Sequence, residues 1–437
     1  MGMKVLVVGK GGREHALVRA LNQSESVQEV LALPGSDGMA AEAKIFTDKK
    51  VDLSNVLEVV HSEKIDLVVI GPEAPLADGL ADQLRESDVL VFGPGKLGAE
   101  LEASKIAAKK FMQEAGVPTS SAVMVTNVEE TLGSAKSFQA PFVLKADGLA
   151  AGKGVFICKD ETELEAVAKD LFENKVLGEA GEQALLEEFH TGYELSVLIL
   201  TNGRKYEVLP IAQDHKRIFD NDEGPNTGGM GTVAPMELSK TVMMEISEKV
   251  LQPTVKHLKN RGLDYRGVIF IGIMMTDEGP ITLEYNVRFG DPETQVIMPL
   301  LDGDWGHVLK TIASGEIPEM NWKEGATACV VLAAEGYPDT SKKGVEISGP
   351  CDRALASQYF LHAGTQKIDG KWVTDGGRVL NSIGIGENYK VAVENAYQGV
   401  NSISWPGMQY RKDIGTKLAE NVEESSPNER TPDHSDE

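Results

Sequence analysis

The sequence predicts a multidomain chain of α/β and α+β class. An N-terminal doubly wound parallel sheet is followed by a central α+β unit with a small lid, then a small C-terminal α+β domain. Three observations predict this. Short apolar runs near the N-terminus each end in a glycine or proline turn, as buried parallel strands do. The stretch Ile281–Phe289 alternates apolar and polar residues, the period of a strand with one buried face. From Ala326 the texture shifts to short strands with Gly, Pro and Asp turns.

Taken in order, Met3–Val8 reads as a buried strand, Gly9-Lys10-Gly11-Gly12-Arg13-Glu14-His15 as a turn, and Ala16–Leu21 as a helix. A helix N-terminus after a glycine turn can hold a phosphate. The turn lacks the GxGxxG spacing, and Val30–Leu33 ends without the acid that a dinucleotide site wants, which argues against nicotinamide binding. Asp66–Ile70 runs into Gly71-Pro72-Glu73 and Val89–Phe92 into Gly93-Pro94-Gly95. A helix is expected over Leu97–Ala115, with Lys105 inside it.

Pro141–Lys145 and Val155–Cys158 read as strands joined by a small, glycine-rich loop that contains Gly148, Gly152, Lys153 and Gly154. Such a loop suits a lid over phosphates, because backbone amides approach closely and each lysine is a point charge. A long hairpin turn is the plainer alternative. Strands are expected at Gln183–Leu186, before Glu187-Glu188-Phe189, and at Tyr193–Leu200, which opens with Glu194. Gln213–Arg217 is a dense polar cluster, and Gly224–Gly231 a glycine-dense loop that is either disordered or closes on a ligand. A helix near 240–260 and a strand Gly267–Met275 lead back to the alternating stretch through a hairpin.

Alternation puts Glu284, Asn286 and Arg288 side by side on one face. A carboxylate and an amide oxygen suit a hard cation that keeps its waters, and an arginine beside them suits a phosphoryl group. A solvated sheet face would show the same pattern. Gly290 and Pro292 then end the strand, with Asp291 and Glu293 expected in the turn. In the C-terminal part, strands are expected at Cys329–Ala334, Val345–Ile347, Tyr359–Ala363 and Val379–Gly384, with a helix at Asn388–Ser402.

A chain of 437 residues exceeds one core. The expected divisions are 1–100 for a substrate-binding domain, 101–325 with a lid at about 120–190, 326–418, and an acidic, disordered tail at 419–437. A net charge of −24 argues against nucleic-acid or anionic-membrane binding, though a phosphorylated ligand in one cleft is compatible with it. Three cysteines without CxxC spacing imply a reducing cytoplasm, and no stretch is long enough to span a bilayer.

Together, Gly9–His15, Gly71–Leu76, Lys145–Val155, Gln213–Arg217, Gly224–Gly231 and above all Arg288–Gln295 resemble the phosphoribosylamine–glycine ligase family of the ATP-grasp superfamily over about residues 3–418. Lys10 departs from the small or polar residue usual there. The resemblance implies an ATP-grasp central domain and an enzyme of purine biosynthesis. ATP would activate glycine as glycyl phosphate, and the amine of 5-phosphoribosylamine would then attack, giving glycinamide ribonucleotide, ADP and phosphate. It implies Mg²⁺ or Mn²⁺ on Glu284 and Asn286, and ATP phosphates on Lys105, Lys145 and the Gly148–Gly154 loop. Adenine and ribose would meet Glu187, Glu188, Phe189 and Glu194. Arg288, Lys145, Asp214 and Lys216 would be catalytic. Gly9, Gly11, Gly12, Arg13, Glu14, His15, Glu73, Asp214, Lys216, Arg217, Asn226, Gly228, Gly229, Arg288 and Asp291 would face phosphoribosylamine and glycine. A monomer is expected, with a dimer as the alternative. The rival readings are another ATP-grasp carboxylate–amine ligase or carboxylase acting on a purine-pathway intermediate, and a non-catalytic nucleotide binder.

Overall fold

The computed structural model describes residues 2–150, 154–416 and 418; the expected lid residues Gly152 and Lys153 and the tail 419–437 lie outside them. Five N-terminal strands form one parallel sheet in the order Lys44–Ile45, Val27–Pro34, Met3–Gly9, Leu67–Ile70, Val91–Phe92. Their side chains alternate between two cores. Val5, Val7, Leu67 and Val69 pack with Leu17, Trp305 and Leu309, whereas Leu6, Val8, Val68 and Ile70 pack with Val56, Val59 and Leu84. Both faces are covered, so the runs carry no polar alternation. One covering helix, Trp305–Ala313, comes from far along the chain.

Two antiparallel sheets follow. One orders Ala122–Val125, Ala184–Glu188, Phe142–Ala146 and Val155–Cys158. The other orders Tyr206–Val208, Tyr193–Thr201, Gly267–Thr276 and Gly279–Asn286. They meet at Pro118–Ser120, where Thr282 N donates to Pro118 O at 2.8 Å and Thr119 Oγ1 donates to Thr282 O at 2.8 Å.

The C-terminal sheet also takes in two short strands from before Ala326. Gln213–Asp214 and Gly231–Ala234 add to Ala326–Ala333, Arg378–Gly386 and Gln358–His362. This joins the polar cluster at Asp214 to the C-terminal part of the molecule. The helix Tyr389–Val400 covers that sheet with Ala392, Ala396 and Val400.

Four local expectations need correction. The helix over Leu97–Ala115 is two helices, Lys96–Ala103 and Lys105–Ala115, because Ser104 turns extended and caps the second through Ala107 N. The strand over Ile281–Phe289 pairs only to Asn286 and carries a bulge: Gly272 faces Glu284 while Ile273 faces Thr282, leaving Leu283 unopposed. Thr282 is therefore buried in place of Ile281 and Leu283, and the regular alternation resumes at Tyr285, Val287 and Phe289. Val345–Ile347 forms only an isolated bridge at Glu346. Glu293 is not in a turn but opens the buried helix Glu293–Ile297.

Candidate active site

The polar row survives the bulge. Asn286 Nδ2 donates to Glu284 Oε1 at 3.2 Å, and Arg288 Nη2 donates to Asn286 Oδ1 at 3.3 Å. Burial pushes the Glu284 carboxyl up, but Lys216, Lys145, the Asn286 hydrogen bond and Lys105 outweigh it and hold it below its ordinary value. Among the described residues, no group of three or more His, Cys, Asp and Glu could hold a metal by itself. One ionised carboxylate and one amide oxygen fit Mg²⁺, which binds through few protein ligands plus water and phosphate oxygens. Arg288 is braced from behind: Nη2 lies 2.9 Å from Glu102 Oε1 and Nε 3.5 Å from Glu73 Oε2. Glu102 is itself fixed by Val287 N at 2.8 Å.

Opposite this row stand the lysines. Lys145 Nζ pairs with Glu187 Oε2 at 2.8 Å and donates to Leu283 O, the bulge carbonyl, at 3.0 Å. Lys105 Nζ reaches Gly148 O at 3.4 Å; burial lowers its pKa, although Glu284 pushes it back up. Asp147 ties the base of the lid to the break between the helices, accepting from Ser104 Oγ at 2.9 Å and Ile106 N at 2.8 Å. Gly148 packs so tightly that a Cβ would lie 2.7 Å from Ala180 Cα.

On the expected adenine side, Glu188 is exposed and Phe189 half-buried. Glu187 is 2% exposed, and its carboxylate is held by both Lys109 and Lys145. Glu194 is exposed and pairs with Lys216 at 3.1 Å. Burial lowers the Lys216 pKa, but Glu194, Glu284 and Asp214 raise it well above the ordinary value.

The N-terminal turn departs most from expectation. The helix starts at Gly12, and its first amides are already taken: Gly11 N donates to Glu14 Oε2 at 2.7 Å and Arg13 N to Asp291 Oδ2 at 3.2 Å. A Cβ on Gly9 would lie 2.4 Å from Glu14 Cγ, and one on Gly71 2.3 Å from Glu14 Oε1. These glycines make room for a carboxylate of the protein, and Glu14 in turn pairs with Arg13 Nε at 2.6 Å. Arg13 also approaches Glu73 at 3.8 Å. His15 does not face this site. It is 4% exposed, accepts from His362 N at 2.8 Å and stacks on the His362 ring, joining the helix Gly12–Asn22 to the C-terminal sheet.

Asp214 accepts from His215 N at 2.8 Å and Thr232 Oγ1 at 3.3 Å. Burial, then the charge of Glu293, pushes its carboxyl up. Burial likewise raises Glu293, which accepts from Ser196 Oγ at 3.0 Å. The glycine-dense loop is an ordered hairpin, with Arg217 opposite Asn226 and Arg217 Nη1 donating to Gly224 O at 2.6 Å. Arg378 pins its end, donating to Gly228 O at 2.8 Å and Asp291 O at 2.7 Å and pairing with the Asp291 carboxylate at 3.3 Å.

Sequence reasoning missed Glu102, Lys109, Asp147 and Arg378. Lys109 left a signal: in a helix it shares a face with Ala108 and Met112, where a lysine must find a partner. Arg378 left none, since its partners lie 87 to 150 residues away.

The two antiparallel sheets, with Lys105 and Lys145 near a Glu–Asn–Arg row, define an ATP-grasp architecture. A biotin carboxylase from Campylobacter jejuni superposes over 97% of each chain with a TM-score of 0.73 at 14% identity, a likeness of fold alone. The chain matches the models of the phosphoribosylglycinamide synthetase N domain at residues 3–102, ATP-grasp (A) domain at 103–294 and C domain at 327–417. It is 40% identical over 415 residues to a phosphoribosylamine–glycine ligase of Caldanaerobacter subterraneus, covering 94% of this chain and 99% of that one. A human trifunctional purine biosynthetic protein, adenosine-3, is 43% identical over 95% of this chain and 42% of its own length. The crystal structure of phosphoribosylamine–glycine ligase from Thermotoga maritima superposes with a TM-score of 0.84 at 35% identity, over 94% of this chain and all of that one. The chain belongs to the phosphoribosylamine–glycine ligase family.

Proposed function

We propose that the chain ligates glycine to 5-phosphoribosylamine at the cost of ATP, through glycyl phosphate. The observation that carries this is the facing of the Glu284–Asn286–Arg288 row by Lys105, Lys145 and Lys216. Phosphoryl transfer asks chiefly for positioning and charge neutralisation, which this set supplies. A glycine carboxylate oxygen attacks the γ-phosphorus and the bond to ADP breaks. The amine nitrogen then attacks the acyl carbon, loses a proton, and phosphate leaves. Lys105 and Lys145 hold the phosphates, and Arg288 stabilises the group in transit. Asp214, Lys216, the Asn226–Gly229 segment, Asp291 and Glu73 orient the two acceptors. Glu284 and Asn286 would hold Mg²⁺, or Mn²⁺ in its place, which screens the phosphate charge when bound.

The same reading takes the protein as a cytoplasmic monomer divided near residues 100 and 326. Among the described residues, no helix is long and apolar enough to cross a membrane, and Cys158, Cys329 and Cys351 are free thiols. The test is phosphate release with each of ATP, glycine and 5-phosphoribosylamine omitted in turn. Release should require all three. Release supported by bicarbonate without glycine would overturn the reading in favour of a carboxylase.

A further inference from the structure

Lys109 is 5% exposed, and the ligation chemistry gives it no task. An ammonium has three donors. Those of Lys109 all have protein acceptors: Glu187 Oε1 at 2.9 Å, Thr119 Oγ1 at 2.8 Å and Ser120 O at 3.0 Å. None remains for a ligand. Lys145 has two acceptors, Glu187 Oε2 at 2.8 Å and Leu283 O at 3.0 Å, so one donor remains. Glu187 thus lies between two cations, one oxygen to each.

Resting on the ATP-grasp reading above, we propose that Lys109 is a positioning residue for the nucleotide. It neutralises Glu187 and fixes that carboxylate to the 118–120 segment, so that Lys145 keeps a net positive charge and one free donor for the phosphates. Two lysines and one carboxylate sum to one positive charge. Without Lys109, Glu187 cancels Lys145 and its bare oxygen competes for the remaining donor in a site where charges are poorly screened. The same network reaches the metal-binding strand, because Thr119 Oγ1 accepts from Lys109 and donates to Thr282 O at 2.8 Å. Lys109 therefore ties together both sheets that bracket the nucleotide. A lysine that merely fills the core would leave nucleotide affinity unchanged when its stem is kept.

The experiment is a calorimetric titration of the full chain with Mg·ATP, alongside thermal unfolding and the KM for glycine. Lys109→Met should weaken Mg·ATP binding about 10- to 100-fold, as loss of an outer-shell partner does, with the glycine KM unchanged. The double variant K109M/E187Q, which removes both charges, should recover most of that binding. Unchanged affinity in folded Lys109→Met, or a double variant no better than the single one, would overturn the proposal. Should Lys109→Met not fold, Glu187→Gln decides: it should bind Mg·ATP at least as tightly as the parent, and loss of binding would overturn the proposal. A parent protein that does not bind Mg·ATP would instead remove the nucleotide reading itself.

Discussion

The turn Gly9–Gly12 and the segment that opens at Gly148 look alike in sequence, each with small residues beside a lysine, yet the residues around them are arranged for opposite ends. In the first, the space that the glycines leave is filled from within: Glu14 lies against Gly9 and Gly71, and Glu14 and Asp291 occupy the helix's first amides. In the second, Lys105 and Lys145 converge on Glu284, and Lys145 keeps a donor free. A glycine-rich loop shows only that something needs room. What fills it follows from the charges that other segments bring.

The largest effect should come from the open side. Glu284→Gln removes the ionised oxygen while keeping the shape, and should lower kcat by at least about 100-fold, the upper range for losses around a metal. Steady-state ADP release checks this, and turnover near the parent's would break the assignment. On the filled side, Gly71→Ala drives a Cβ to 2.3 Å from Glu14 Oε1. Overpacking of this kind should cost about 1–3 kcal/mol in denaturant unfolding; a tolerated alanine would mean that Glu14 is not fixed there.

His362 sharpens the contrast, since it holds His15 away from the site. Burial, then His15, depresses its pKa from 6.5 to about 3. The unfolded chain therefore binds more protons between these values, and stability from this group is full above pH 6.5 and lost as pH falls toward 3. His362→Gln should flatten the slope of unfolding free energy in that window. A smaller effect is expected at the far side of the 217–226 hairpin, where Arg411 pairs with Asp222 and Asp413, each at 2.7 Å. Although burial raises it, the Arg411 hydrogen bond brings Asp413 down to about 2. Its contribution is present above pH 3.8 and fades as pH falls toward 2. Asp413→Asn should cost about 1 kcal/mol at neutral pH after solvent screening, read from denaturant midpoints at pH 7 and pH 3.

How much was legible follows from range. The parallel strands, the 267–286 hairpin and the Glu284–Asn286–Arg288 row are short-range patterns, and each is present. The bulge at Leu283 was not legible, because a one-residue slip leaves composition untouched while exchanging which side chains are buried. Glu102 and Arg378 were not legible either, since each becomes a site residue only through a partner 87 to 186 positions away. For Glu14 and His15 the sequence shows the turn but not the partners, which are Gly11 N and Arg13 for the first and His362 for the second.

The most direct test of the central claim is a crystal structure of the chain with Mg²⁺ and a non-hydrolysable ATP analogue. It should show the ion about 2.1 Å from oxygens of Glu284 and Asn286, with Lys145 Nζ on a phosphate oxygen at about 2.8 Å while still paired with Glu187. A triphosphate seated on the Gly11 and Arg13 amides, with Glu284 and Asn286 turned to solvent, would contradict it.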